Sequence, residues 1–224
     1  MALELLLACG TAVVSLAADR VMESDNTLIN TSNWRVELPV LAGGSVVLRE
    51  PTSHDLGSLV DLLSVADATR FGLEEPPTDL AIQQLIDRAV RDRTNGTAFT
   101  YVIAHAATRA VVGLTQVRQL DPSFEAAEWE CTLAPSSRGS GAFLDAARLV
   151  GSFAFGSVGV HRIEARVLLQ NGRANGALRK LGAVQEGILR RSLRYGGEYV
   201  DQVLWSVLKE DWGDHWVPTG PRVH

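Results

Sequence analysis

The chain has 224 residues, room for one large domain or two small ones, and its 46% hydrophobic and 21% charged residues describe an ordinary globular protein, not a disordered, collagen-like or fibrous one. A net charge of −5 leaves no basic field to hold a nucleic-acid backbone, so nucleic acid is not an expected partner and any anion site must be local. Two cysteines are too few for a disulfide framework or a metal tetrad, which fits a reducing cytoplasm.

From Leu5 to Ala18 the chain carries no charge, yet the run is shorter than the roughly 20 residues a bilayer-spanning helix needs. Acidic Glu4 stands where a secretory leader would be basic. The run reads as an apolar helix packed on the domain or on a partner subunit, or as an upstream extension, and it fits a homodimer contact. Residues Glu23 to Asn33 are polar, a linker composition. The expected organisation is therefore helix and linker over 1–33, one domain over 34–213, and a tail over 214–224.

Ser45 to Arg49 reads as a strand, and Thr52-Ser53 caps a helix with apolar Leu56, Leu59, Val60 and Leu63. After Pro76-Pro77, Thr78 or Asp79 caps a second helix that carries Leu80 to Val90 at helical spacing and ends near Asn95-Gly96. Phe99 to Ala106 and Ala110 to Leu120 form a hairpin about Thr108-Arg109. Glu128 to Leu133 alternates strictly, putting Glu128, Glu130 and Thr132 on one face and Trp129, Cys131 and Leu133 on the other. A glycine-rich turn, Ser136 to Ala142, opens a helix through about Phe155. Val160 to Leu169 is a strand, Asn171 to Leu181 a helix stopped by Gly182, Ala183 to Leu193 a strand, and Gly196-Gly197 turns into Tyr199 to Leu208. This order predicts an α/β (α+β) fold, a mixed and mostly antiparallel central sheet with helices on both faces.

A strand running into Arg138-Gly139-Ser140-Gly141 and then a helix is a device for holding phosphate. Glycines let the backbone approach, the first helical amides point outward, the helix dipole favours negative charge, and Arg138 adds a bidentate donor. A dinucleotide-binding Rossmann turn is a poor match, because the motif lies past residue 135 and Leu144 takes the third glycine's place. Preferential binding of ATP or NAD would be the mark of that nucleotide-binding class.

The sequence resembles the GCN5-related N-acetyltransferase (GNAT) family, in its RimJ/RimL-like branch of ribosomal-protein N-terminal acetyltransferases. The likeness runs from about Val46 to Trp212. It is carried by the Pro135 to Ala142 turn, the His161 to Ala165 strand, Asn171 to Ala174 followed by Leu178 to Ala183, Glu186 to Arg190, Tyr199 to Ser206, and Asp211-Trp212. The resemblance implies the acyl-CoA N-acyltransferase fold and transfer of an acetyl group from acetyl-CoA, as co-substrate, to a primary amine. It implies that Arg138, Gly139, Ser140, Gly141 and Ala142 hold the CoA pyrophosphate, and that the pantetheine arm lies between the strand ending at Leu133 and the Val160 to Leu169 strand. It places Asn171 near the thiol end and Arg173 against a CoA phosphate. The acceptor mouth would draw on Arg70, Phe71 and Glu74, and no metal is expected. The chain departs from the family in having Ser136 where Gln or Arg is usual, Ala174 for a frequent serine, and Leu178 for the tyrosine acid. Those losses keep open a non-catalytic acyl-CoA sensor as the competing class.

Glu128 is the candidate base, with Glu130 second. Two carboxylates on one strand face repel, which favours a proton on one of them. An α-amine, with a pKa of about 7.7 to 8.0 against about 10.4 for lysine, needs only a modest base. Cys131, on the opposite face, reads as a core thiol, His161 as structural, Arg190, Arg191 and Arg194 as a solvated strand face, and Trp34, Trp205, Trp212 and Trp216 as core or interface residues.

Overall fold

The computed structural model describes residues 33–64, 77–195 and 197–212. The Leu5 to Ala18 run, most of the linker, Arg70, Phe71, Glu74, Gly196 and Trp216 lie outside the described residues. In chain order the elements are β1 (Leu41–Ala42), β2 (Val46–Arg49), α1 (Leu56–Ser64), α2 (Asp79–Asn95), β3 (Ala98–His105), β4 (Val111–Gln119), β5 (Ala126–Leu133), α3 (Ala142–Phe153), β6 (Arg162–Leu168), α4 (Gly172–Lys180), β7 (Val184–Tyr195) and β8 (Glu198–Leu208). They form an eight-stranded sheet in the order β1-β2-β3-β4-β5-β6-β8-β7. Every neighbouring pair is antiparallel except β5 with β6.

Each helix is set by local chemistry. The Thr78 hydroxyl accepts from the Ala81 amide at 3.2 Å and starts α2; Gly96, at φ +72°, stops it. The buried residues of α2, Ile82, Leu85, Ile86 and Ala89, recur at helical spacing and join Leu59, Leu62 and Leu63 of α1 over Val102 and Leu114 of the sheet. On the opposite face α3 and α4 cover a larger core that includes Phe99, Tyr101, Val117, Trp129, Ile163, Val203 and Trp205. Trp34 belongs to this core, edge-on to Phe99 and Phe124, and Trp212 packs against it. The sheet therefore has helices on both faces, as the element order requires.

Three local features depart from the sequence reading. β1 is too short for an alternating pattern; it exists because Gly43-Gly44 turns the chain back on β2, with the Gly43 amide bonded to the Val46 carbonyl at 2.8 Å. Before α1, Ser53–Asp55 makes a tighter 3₁₀ turn. There the Asp55 carboxylate accepts from the Thr52 amide and from both terminal nitrogens of Arg49, at 2.8, 2.7 and 2.6 Å. At the end of α3, Ala154–Val158 widens into a π turn that Gly159 closes at φ +92°.

Candidate active site

β5 and β6 pair only at Ala126↔Arg162, Ala127↔Ile163 and Glu128↔Glu164. Beyond Glu128 both strands continue, β5 to Leu133 and β6 to Leu168, with different partners on their outer edges. The sheet thus opens into a V whose apex is Glu128 and whose β5 side runs to Leu133. On the outer edge of β5, the Thr115 hydroxyl of β4 donates to the Glu130 carbonyl at 2.8 Å and accepts from the Trp129 indole at 2.7 Å. In a trans peptide the carbonyl and the next amide point in opposite directions. Holding the Glu130 carbonyl toward β4 therefore aims the Cys131 N–H into the V.

At the far end of β5 the chain passes through a 3₁₀ turn, Pro135–Ser137, and reaches the glycine loop. Gly139 and Gly141 adopt φ +85° and +89°, conformations that disfavour a Cβ, and a Cβ at either would meet nothing within 4 Å. Among the described residues, the amides of Gly139, Gly141, Phe143 and Leu144 have no acceptor, and the Ala142 amide has only a long contact, 3.4 Å, with the Ser140 hydroxyl. The loop is exposed, and Arg138 extends along it with Nε 3.4 Å from the Leu133 carbonyl. Unbonded amides at the positive end of a helix, beside an arginine, constitute an anion-binding surface. These features fit a diphosphate at the loop and an extended chain in the V.

The helix is fixed in place from a distance. Asp145, in the first turn of α3, accepts on Oδ2 from the Ser45 amide at 2.6 Å, the Ser45 hydroxyl at 2.8 Å and the Val46 amide at 3.2 Å. Burial would push this carboxyl up, but the Ser45 and Val46 donors outweigh it and hold Asp145 below the ordinary carboxylate range.

Asn171 caps α4, its side chain accepting from the Ala174 amide at 3.1 Å, while Arg173 is exposed on the first turn. The buried polar anchor here is Asn175, absent from the sequence reading. Its amide nitrogen donates to the Leu168 and Asn171 carbonyls at 3.0 and 2.9 Å, and its oxygen accepts from the Trp205 indole at 2.8 Å. Leu178 is 4% exposed, inside the core beside α4.

The alternation of β5 holds. Trp129, Cys131 and Leu133 pack with the α3 core, and Glu128 lies on the α2 face. Glu128 is 4% exposed, and its neighbours across the strands are Arg118 on β4 and Glu164 on β6, with Arg166 two residues beyond, none of which the sequence pattern revealed. Arg118 of β4 bonds its Oε2, and Arg166 of β6 approaches Oε1 at 3.6 Å. Charges continue along β6: Arg166 lies 3.8 Å from Glu164, Arg162 bonds Glu164 at 3.0 Å, and Arg162 bonds Glu186 at 2.5 Å. Arg162 and Ser206 hold the Glu186 carboxyl down at about 2. Arg118 and Glu130 also line an open groove of about 430 Å³ against α2, with Arg88, Asp92, Thr100 and Gln116.

His161 is exposed, 3.9 Å from Glu210, and Arg190, Arg191 and Arg194 are exposed on β7. Among the described residues no cluster of His, Cys, Asp or Glu is placed to hold a metal, and no helix is long and apolar enough to cross a membrane.

A sheet that splits beside an anion-binding helix start is the arrangement of an acyl-CoA N-acyltransferase. The Acetyltransferase (GNAT) domain matches residues 45–184, and the chain belongs to this family as an acetyl-CoA-dependent N-acetyltransferase. It is 24% identical over 172 residues to the uncharacterized N-acetyltransferase YoaA of Bacillus subtilis, covering 76% of this chain and 97% of that protein. It is also 24% identical over 176 residues to the spermidine N(1)-acetyltransferase of Escherichia coli, covering 78% of this chain and 92% of that protein. Among solved structures, the RimJ of Mycobacterium smegmatis in complex with CoA-disulfide superposes with a TM-score of 0.65 at 23% identity, over 77% of this chain and 87% of that one.

Proposed function

We propose that the domain, over residues 34–213, acetylates a primary amine, a protein N-terminal α-amine or a small-molecule amine, by direct attack in a ternary complex, as a cytoplasmic RimJ/RimL-like enzyme. The observation that carries this reading is that the amides of Gly139, Gly141, Phe143 and Leu144 have no acceptor among the described residues, at the end of a strand whose pairing with β6 stops at Glu128. Acetyl-CoA supplies the acetyl group as a thioester. Arg138, Gly139, Ser140, Gly141 and Ala142 receive its diphosphate, Arg173 a further phosphate, and the free edge of β5 to Leu133 its extended arm, much as an added strand would be received. The Cys131 amide, aimed into the V by Thr115, is the donor for charge developing on the thioester oxygen.

Glu128 takes the amine's proton and Glu130 borders the acceptor's path, with Asn171 at the thiol end. Arg70, Phe71 and Glu74 border the acceptor mouth, and the Leu5 to Ala18 run supports a homodimer. Cys131 is on the other face of β5 from Glu128, which favours direct attack over an acetylated cysteine. The test is thiol release from acetyl-CoA across a panel of N-terminal peptides, polyamines and aminated small molecules. Release that depends on at least one amine is expected; none with any acceptor overturns the proposal.

A further inference from the structure

Glu128 is flanked unevenly. Its Oε2 is fixed by Arg118, while its Oε1 faces Arg166, whose Nε is buried, 3.6 Å away, and without a hydrogen-bond partner among the described residues. That separation is too long for a hydrogen bond, so Arg166 supplies charge at Oε1 without engaging it. The same guanidinium reaches Glu164 at 3.8 Å, again without closing. Arg166 sits on the stretch of β6 that has already parted from β5, and its side chain reaches back to Glu128 at the apex of the V. A buried Nε that faces a carboxylate without bonding it is unusual, since buried N–H groups are nearly always satisfied.

We propose that Arg166 is a positioning residue that keeps the acceptor amine neutral at Glu128, its positive charge opposing the ammonium form at the oxygen where the amine must dock. This rests on Glu128 as the proton acceptor. The charged groups facing that oxygen are Arg118 of β4, Glu130 of β5, and Glu164 and Arg166 of β6; Arg88 and Asp92 of α2 lie across the groove. Arg118 is already bonded to Oε2, which leaves Arg166 as the cation nearest Oε1, and a like charge that close disfavours the protonated amine there even though Glu130 and Glu164 act the other way. Glu164 moderates the effect by drawing Arg166 away. The same charge opposes a second cation beside the reacting amine, so removing it should favour a polyamine relative to a peptide α-amine.

The experiment follows the acid limb of kcat, which reports groups titrating in the complex, for a peptide acceptor at saturating acetyl-CoA. Arg166→Gln should move that limb to higher pH by about half a unit to one unit, with the Kd for CoA unchanged. Arg166→Lys should leave it near the wild-type position. Glu164→Gln should move it the opposite way, so the idea stays testable if Arg166→Gln folds poorly. Relative to the peptide, kcat/KM for a polyamine should rise in Arg166→Gln. A limb that stays fixed in both Arg166→Gln and Glu164→Gln, with kcat lowered evenly at all pH values, would mark a merely structural ion pair and overturn the proposal. Glu128→Gln measured in parallel separates the two readings: wild-type kcat there overturns the assignment of Glu128 itself, whatever Arg166 does.

Discussion

Asp145→Ala tests whether the start of α3 is held in place by the β1–β2 turn. The carboxylate gathers three donors from Ser45 and Val46 on one oxygen. Val46 is fully buried, so its amide has no water to turn to, whereas Ser45 is only part-buried. Counting about 1 kcal/mol for each donor left without a partner, with Ser45 partly rescued by solvent, the loss is about 2–3 kcal/mol. For a domain of this size that lowers Tm by roughly 5–10 °C. Gly43→Ala offers the same perturbation without removing the charge, because a Cβ there would come within 2.7 Å of the Asp145 carboxylate oxygens. Both variants should weaken CoA binding, since the helix start is displaced in each.

The pH dependence has a fixed sign. A carboxyl held below its unfolded value stabilises the fold above that value and loses the stabilisation as pH falls through the folded one. The gap in urea-unfolding free energy between wild type and Asp145→Ala should therefore be full at neutral pH and shrink below about pH 4. Urea and thermal unfolding, together with calorimetric CoA titration, measure both effects. An Asp145→Ala protein within about 0.5 kcal/mol of wild type and with unchanged CoA affinity would refute the linkage.

Glu128→Gln should lower kcat by about 10²- to 10⁴-fold while leaving CoA affinity intact, the expected loss for a general base, as read by steady-state thiol release alongside calorimetry. Asp55→Ala should cost about 3 kcal/mol in urea unfolding, because it strands the Arg49 guanidinium and the Thr52 amide that Asp55 now joins. Burial pushes the Asp55 carboxyl up, but Arg49 and Thr52 more than offset it, so its contribution too is present at neutral pH and lost in acid. Asn175→Ala should destabilise by about 2 kcal/mol, leaving the buried Trp205 indole without its acceptor, and thermal unfolding should register it.

The parts of the site that were legible in the sequence are those fixed by local rules. Gly139 and Gly141 are glycines because the chain turns through positive φ there, and a glycine pair before a helix advertises that turn. Strict alternation sorted Glu128 from Trp129 because a strand has a period of two. What stayed hidden depends on which strands become neighbours. Arg118 meets Glu128 only through the β4–β5 register, and Arg166 only through the short parallel pairing of β5 with β6. Asn175 meets Trp205, and Asp145 meets Ser45, across long stretches of chain. β1, two residues long, carries no pattern at all. The expectation that Glu128 would be governed by a neighbouring carboxylate looked along one strand, whereas its nearest charges come from the strands on either side.

The backbone amides after Arg138 are proposed to receive the diphosphate of acetyl-CoA. Calorimetric titration of the full chain with coenzyme A, wild type against Gly141→Val, tests it most directly. A side chain at that position costs only about 1–2 kcal/mol of backbone strain, and a Cβ there meets no protein atom, so the fold should survive. One-to-one binding by wild type and at least a tenfold loss in the variant are expected. No heat from wild type, or equal affinity in the two, would contradict it.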